Sequence, residues 1–265
     1  LAVSSDAFYY RIGEIMFEAT TDRQLLADEV RLFGFGSKTG IDLPYEFAGR
    51  VPSTELKKEL IEKKVLAKGE TPAMLVGDNV QLAIGQGLLA ATPLQLSQAY
   101  STIANGGYVW RPHIIQAIYR SGVPDSAQNG MADLSKGIVL TDYSQPELVH
   151  QMEMPETIRT PLVDGLRRVI TGPGTDFPQG FYHQTTGEYL FKNYRGMDIA
   201  GKTGTAQGQA SKPWFDSSVF SAFSLDTASP YTVTAYLEKS GYGASAAAPV
   251  VKCMFEALSG AVDFD

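Results

Sequence analysis

Apolar residues recur at helical spacing along much of the chain and give way to alternating, β-rich runs before the last element. Leu162, Val163, Leu166, Val169 and Ile170 fall at i, i+1, i+4, i+7 and i+8, which predicts an amphipathic helix opened by Thr160-Pro161. Thr92-Pro93 opens another with an N-cap residue and a first-turn proline. Leu96, Ala99, Tyr100 and Ile103 form its buried stripe, and Asn105-Gly106-Gly107 ends it. Nearer the start, a helix after Asp6 carries Ala7, Tyr10, Ile15 and Phe17. A second runs from Asp22 to Phe33, with Gly34 at its end. Gly36 to Pro52 is a loop rich in glycine and proline. From Thr54 to Ala67, Lys57, Lys58, Lys63 and Lys64 alternate with glutamates, which reads as a solvated helix face. Ala246 to Leu258 is the closing helix.

Strand patterns complete the set. Pro112 to Arg120 reads as a strand, and Ser121 to Ser135 as polar and irregular. Asp198 to Ala206, Ser217 to Leu225 and Tyr231 to Glu238 are strands, with Ala228-Ser229-Pro230 turning between the last two. Consecutive strands on short turns make an antiparallel sheet. The expected fold class is therefore α+β, with helices packed on that sheet.

Composition narrows the picture little. The 265 residues suit one large domain or two, and 44% hydrophobic with 19% charged residues is globular. A net charge of −7 argues against nucleic acid as a partner. The single cysteine, Cys253, excludes an internal disulfide and is expected to be a buried packing residue. His113, His150 and His183 lack metal-ligand spacing, so no metal is expected; no cofactor is expected either.

The chemistry concentrates at Ile199-Ala200-Gly201-Lys202-Thr203-Gly204-Thr205-Ala206, which packs a cation, two hydroxyls and two glycines into a run too polar for core. On an extended strand Lys202 and Gly204 share one face, and Thr203 and Thr205 the other. Such an edge can hold a carboxylate while free N–H groups bind an extended peptide. Gly196 to Thr203 also matches G-x-x-x-x-G-K-[ST], the phosphate loop. That motif needs a buried strand before it and a helix after it. Phe191-Lys192-Asn193-Tyr194-Arg195 is too charged for the first. Two glycines and Pro213 argue against the second.

Lys202-Thr203-Gly204 is also the third motif of the penicillin-binding proteins and serine β-lactamases. Ser4-Ser5-Asp6, followed by Ala7-Phe8-Tyr9-Tyr10, looks like the second, S-x-[N/D]. Asn79 to Gly87, Ala91-Thr92-Pro93-Leu94-Gln95-Leu96, Asn105-Gly106-Gly107 and Arg111-Pro112 resemble the class B transpeptidases. The resemblance runs from Ser4 to about Gly260. Gly40-Ile41-Asp42-Leu43-Pro44 points to the elongation-type, penicillin-binding protein 2 branch, with the division-type branch as the alternative. It implies a five-stranded sheet between helical layers. No serine has a lysine three positions later, so the S-x-x-K nucleophile motif is missing. In this family that motif precedes S-x-[N/D]. The chain is therefore expected to be the C-terminal portion of a single transpeptidase domain, residues 1–265.

The resemblance implies a peptidoglycan D,D-transpeptidase. It would work through a serine acyl-enzyme on D-Ala-D-Ala stem peptides and be a target of β-lactams. A glycosyltransferase and other elongation proteins would be partners. The location would be the extracytoplasmic side of the bacterial envelope, anchored through a segment outside this chain. Ser4 would relay the proton to the leaving nitrogen, its other reading being a helix N-cap. Lys202 would supply the positive field, and Asp6 would pair with a lysine. Thr203, Gly204 and Thr205 would bind the substrate carboxylate, with the Thr205 N–H as half of the oxyanion hole. Trp214 and Phe215 would line the acceptor groove or pack. The alternatives are a non-catalytic sensor or scaffold that kept the fold, and a serine β-lactamase relative.

Overall fold

The computed structural model describes residues 1–67, 69–120, 137–172, 185–208 and 216–261. The first helices are α1 (Asp6–Glu18), α2 (Leu25–Leu32), α3 (Thr54–Glu62), α4 (Val76–Ala83) and α5 (Pro93–Ala104). Short strands follow: β1 (Tyr108–Trp110), β2 (Ala117–Arg120), β3 (Ile138–Asp142) and β4 (Leu148–Gln151). Then come α6 (Glu156–Thr171), α7 (Glu188–Phe191), β5 (Ile199–Ala206), β6 (Ser217–Ser224), β7 (Thr232–Leu237) and α8 (Ala247–Leu258).

The sheet is antiparallel in the order β5-β6-β7, as the three late strands predict. Its two faces carry different cores, because successive side chains alternate. On one face Ile199, Phe220, Ala222 and Ala235 pack with Val169 and Ile170 of α6, Phe191 of α7, and Ala247, Ala248, Val251 and Phe255 of α8. On the other, Ala200 and Phe223 meet Leu166, Tyr100 and Ile103 of α6 and α5. Described residues thus give three strands of a sheet between helical layers, which is the α+β expectation. The small pairs β1-β4 and β2-β3 lie outside it.

Two long-range ties position β5 and the helices in front of it. Arg167 Nε donates to both Asp198 carboxylate oxygens, at 3.0 and 2.9 Å, fixing the strand's start to α6. In front of it, α4 packs on α1, and Asn79 Nδ2 donates to the Gly13 carbonyl. The helix that follows Ser4 is thereby tied to the helix that ends beside β5.

Several expectations change. The helix expected from Thr160-Pro161 begins a turn earlier, at Glu156 behind Pro155. Pro155 already supplies the opening turn, its carbonyl accepting from Ile158 and Arg159. Pro161 therefore sits inside the helix. The strand expected over Pro112–Arg120 shrinks to Ala117–Arg120, and α4, α7, β1, β3 and β4 are additions. The region 121–135 lies outside the described residues. On α1 the inward residues are Gly13 and Phe17, while Tyr10 and Ile15 are exposed. The α5 stripe is more polar than expected. Gln95 and Thr102 are fully buried, and Gln95 Nε2 donates to the Ser37 and Ala48 carbonyls at 2.7 and 2.8 Å. Cys253 is exposed, because Ala247, Val251 and Phe255 claim the inward face of α8. Lys57 leaves the solvated face altogether. Its ammonium is buried, 2.7 Å from Asp78 Oδ2 and 2.9 Å from the Ala73 carbonyl.

Candidate active site

Among the described residues β5 is an edge strand, and its backbone directions follow from one hydrogen bond. In an antiparallel pair, a residue's N–H and C=O both face the neighbour, and the next residue's both face away. The Asp198 carbonyl accepts from Leu225 N, so even-numbered residues of β5 face β6. Odd-numbered residues therefore turn their backbone groups to the free edge. Two contacts agree: Lys202 Nζ reaches the Thr203 carbonyl at 2.9 Å, and Gln86 Nε2 reaches the Thr205 carbonyl at 2.9 Å. The Thr205 N–H thus points off the sheet, where an added extended peptide or an oxyanion would meet it.

That edge forms one wall of a cleft of about 400 Å³. Thr203, Gly204 and Thr205 line it from the strand, Ser4 and Asp6 from the start of α1, Gln86 from the loop after α4, and Tyr242 and Gly243 from the loop before α8. Ser4 and Thr205, 201 positions apart in sequence, therefore share one cavity. Ser4 is exposed and is not the helix cap; Ser5 holds that position. Ser4 has φ of 50°, a left-handed conformation that a non-glycine residue takes at some cost and that clusters at functional sites.

Lys202 is partly buried and does not itself line the cleft. Its ammonium donates to the Thr203 carbonyl and, at 3.1 Å, to Thr203 Oγ1. Thr203 Oγ1 donates onward to Thr186 Oγ1 at 3.2 Å. Among the described residues, no hydrogen bond joins Lys202 to Ser4. Burial pushes the Lys202 pKa down to about 8, and the Asp6 carboxylate opposes that shift. The expected pairing of Asp6 with a lysine thus exists as a field across the cleft, without a direct ion pair.

The two threonines differ in what they have left to offer. A hydroxyl has one proton and two lone pairs. Thr203 gives its proton to Thr186. Thr205 Oγ1 accepts from Gly243 N at 3.1 Å, which leaves its own proton free for a ligand. Thr186, Gln86, Tyr242 and Gly243 are site residues that the sequence reading did not assign. Gln86 stands in a stretch singled out only by resemblance, and Thr186 carries no motif.

Gly243 gives a direct test of how closely the loop lies on the strand. A Cβ there would stand 2.8 Å from the Gly204 carbonyl carbon and 2.9 Å from its nitrogen. Both neighbours are backbone and cannot swing aside. Gly243→Ala is expected to cost about 2 kcal/mol, an ordinary overpacking penalty. Urea denaturation measures it, and an unchanged midpoint would refute the contact.

The phosphate-loop reading fails on the fold. Gly201, Lys202 and Thr203 lie inside β5, paired with Ala222, Ser221 and Phe220, and no strand–loop–helix geometry exists there. His113 and His150 bind the backbone carbonyls of Ile115 and Leu32. Among the described residues no cluster of potential metal ligands forms. His183, Trp214 and Phe215 lie outside the described residues.

Comparison with known proteins bears on the family and the fold. A peptidoglycan D,D-transpeptidase MrdA of Haemophilus influenzae is 28% identical over 264 residues, covering 94% of this chain and 34% of its own length. Penicillin-binding protein H of Bacillus subtilis is 32% identical over 175 residues, covering 66% of this chain and 18% of its own length. The chain therefore spans about a third or less of these curated relatives. In fold, the structure resembles PBP2 of Pseudomonas aeruginosa, with a TM-score of 0.67 and 24% identity, covering 95% of this chain and 46% of that one. It also resembles Helicobacter pylori PBP2, solved in complex with MreC, with a TM-score of 0.63 and 23% identity, covering 98% of this chain and 38% of that one. Matched along residues 1–256 by the penicillin binding protein transpeptidase domain, the chain belongs to that family.

Proposed function

We propose that this chain is the C-terminal part of a peptidoglycan D,D-transpeptidase, and that its cleft holds the substrate's terminal carboxylate and scissile carbonyl. The observation that carries the reading is the free edge of β5, which faces Ser4 and Asp6 across one cleft with the partly buried Lys202 beside it. A serine supplied by the preceding part of the longer protein attacks the carbonyl of the penultimate D-Ala. The serine ester forms, the peptide C–N bond breaks, and D-Ala leaves with the proton that Ser4 relays to its nitrogen. An amine on a neighbouring stem then attacks the ester and restores the serine. The Thr205 N–H donates to the oxyanion, where charge develops in the transition state. Thr205 Oγ1 donates to the substrate carboxylate, and Thr203 holds Lys202 in place.

β-Lactams carry a comparable carboxylate and acylate the same serine. The elongation-type assignment implies partners: a glycosyltransferase and further cell-wall elongation proteins. PBP2 of Helicobacter pylori has been solved with MreC, which supports this. We place the protein on the extracytoplasmic side of the envelope. The family resemblance puts its anchor in a segment outside this chain; among the described residues no helix is long and apolar enough to cross a membrane. Intact Ser4, Lys202 and Thr205 favour an enzyme over a sensor that kept only the fold.

Two measurements test the reading. Incubated with a fluorescent penicillin, the longer protein is expected to take one covalent adduct and the 265-residue chain none, since no serine here has its paired lysine. An adduct on the chain alone would overturn the assignment of the nucleophile. Thr205→Val keeps the β-branched shape and removes the hydroxyl. In the longer protein it is expected to weaken use of a free-acid substrate by about 2 kcal/mol, the scale of a hydrogen bond to a charged group. A substrate with an amidated terminus should lose far less. The acid–amide pair in both proteins forms a cycle that isolates the contact. Equal losses would mean that Thr205 only shapes the strand.

A further inference from the structure

Gln86 belongs to a Gly85-Gln86-Gly87 run whose role the sequence leaves open. The structure gives it a defined position. Helix α4 ends in a Schellman motif: Gly85 N donates to the Leu82 carbonyl at 2.9 Å, and Gln86 N to the Gln81 carbonyl at 2.9 Å. Gly85 takes φ of +74°, the left-handed value this motif needs. Gly87, also left-handed, lies so close to Gln81 that a Cβ there would stand 2.9 Å from the Gln81 Cβ. The backbone on either side of Gln86 is thus fixed by the end of α4. Since Asn79 ties α4 to α1, it is fixed relative to Ser4 as well.

From that position the Gln86 carboxamide donates to the Thr205 carbonyl, on the free edge of β5. The Thr205 N–H faces the same edge. We infer that Gln86 is a positioning residue for acyl transfer. By holding the Thr205 carbonyl, it sets the orientation of that residue's backbone and keeps the Thr205 N–H aimed into the cleft. A carbonyl has two lone pairs, so one remains for an amide of an extended peptide added at the edge. The inference rests on the transpeptidase reading for its kinetic consequence, but the contact itself is testable without activity.

The test uses the longer protein and two variants. Gln86→Ala removes the donor, and Gln86→Glu keeps the size while offering only acceptors once ionised. Each is expected to lower the acylation rate constant with a fluorescent penicillin about tenfold, the scale of one hydrogen bond made in the transition state. The dissociation constant of the noncovalent complex should move by less than about twofold. Relative to wild type, Gln86→Glu should recover as pH falls and its carboxyl regains a proton, while Gln86→Ala should not. Hydrogen exchange should report the same loss without chemistry, with the amides of residues 204 and 206, which bond to β6, exchanging about tenfold faster in Gln86→Ala. A wild-type protein that takes no penicillin would sink the transpeptidase reading and leave the exchange result to decide the contact. Unchanged exchange, unchanged acylation, or a loss confined to the dissociation constant would each overturn the positioning role.

Discussion

Lys202→Met in the longer protein is expected to slow acylation by roughly 10²–10³-fold, the cost of removing one preorganised electrostatic group from a site of this kind. Methionine keeps the length and removes the cation. The same change should not destabilise the fold at neutral pH, because burial opposes the charge: the folded pKa is about 8, against an ordinary value of 10.5. The sign follows from proton counting. Between about pH 8 and 10.5 the unfolded chain keeps a proton that the folded chain has lost, so this lysine makes stability rise with pH across that window. Below it, the folded state bears the cost of the partly buried charge. Tyr100, buried and pushed upward, works in the opposite direction above about pH 10, so the lysine effect is cleanest below that value. Denaturation of wild type and Lys202→Met from pH 7.5 to 9.5 should therefore show a slope in the first that is absent in the second. Acylation that survives Lys202→Met would remove the residue from the mechanism. A variant that loses acylation and stability together would make it structural.

The parts of this arrangement that were legible in the sequence are those with a local cause. Side-chain alternation put Thr203 and Thr205 on one face of a strand, and β5 keeps that register against β6. Thr92 does cap α5: Thr92 Oγ1 accepts from Gln95 N and Gln95 Oε1 accepts from Thr92 N, a reciprocal box that Pro93 reinforces. Features set by long-range contact were not legible. Gln95 looks like a surface residue of an amphipathic helix, yet it is buried because loop carbonyls at Ser37 and Ala48 need a donor. Cys253 sits in an apolar run, yet the sheet needs only one stripe of α8. The cleft assembles residues from three loops and two ends of secondary structure. Lys202 and Ser4 carried motifs that named them in advance. Thr186 and Gln86 act on β5 through one hydroxyl and one carboxamide, and nothing in their local spacing marks them.

Lys57 illustrates the same limit with the largest expected stability effect. A lysine on a helix that alternates with glutamates reads as solvated, and Lys58 and Lys63 are indeed exposed. Lys57 differs because α3 turns it onto Asp78, at the first turn of α4, where its side chain is only 3% exposed. Asp78 already accepts from Leu75 N at 2.8 Å, so one carboxylate caps α4 and binds the buried ammonium. Removing the cation leaves Asp78 beside an apolar side chain with that single backbone donor. Breaking a buried pair from one side costs about 3–5 kcal/mol, and the partial exposure of Asp78 puts Lys57→Met near the lower end. Lys57→Met with Asp78→Asn should recover much of the loss, because the uncompensated charge is gone and the amide oxygen still accepts from Leu75 N. The two single variants and the double, compared by urea denaturation, form a cycle whose interaction energy measures the pair. Losses that simply add would mean that the two side chains act independently. A Lys57→Met variant as stable as wild type would return Lys57 to the solvated face that its sequence neighbours suggest.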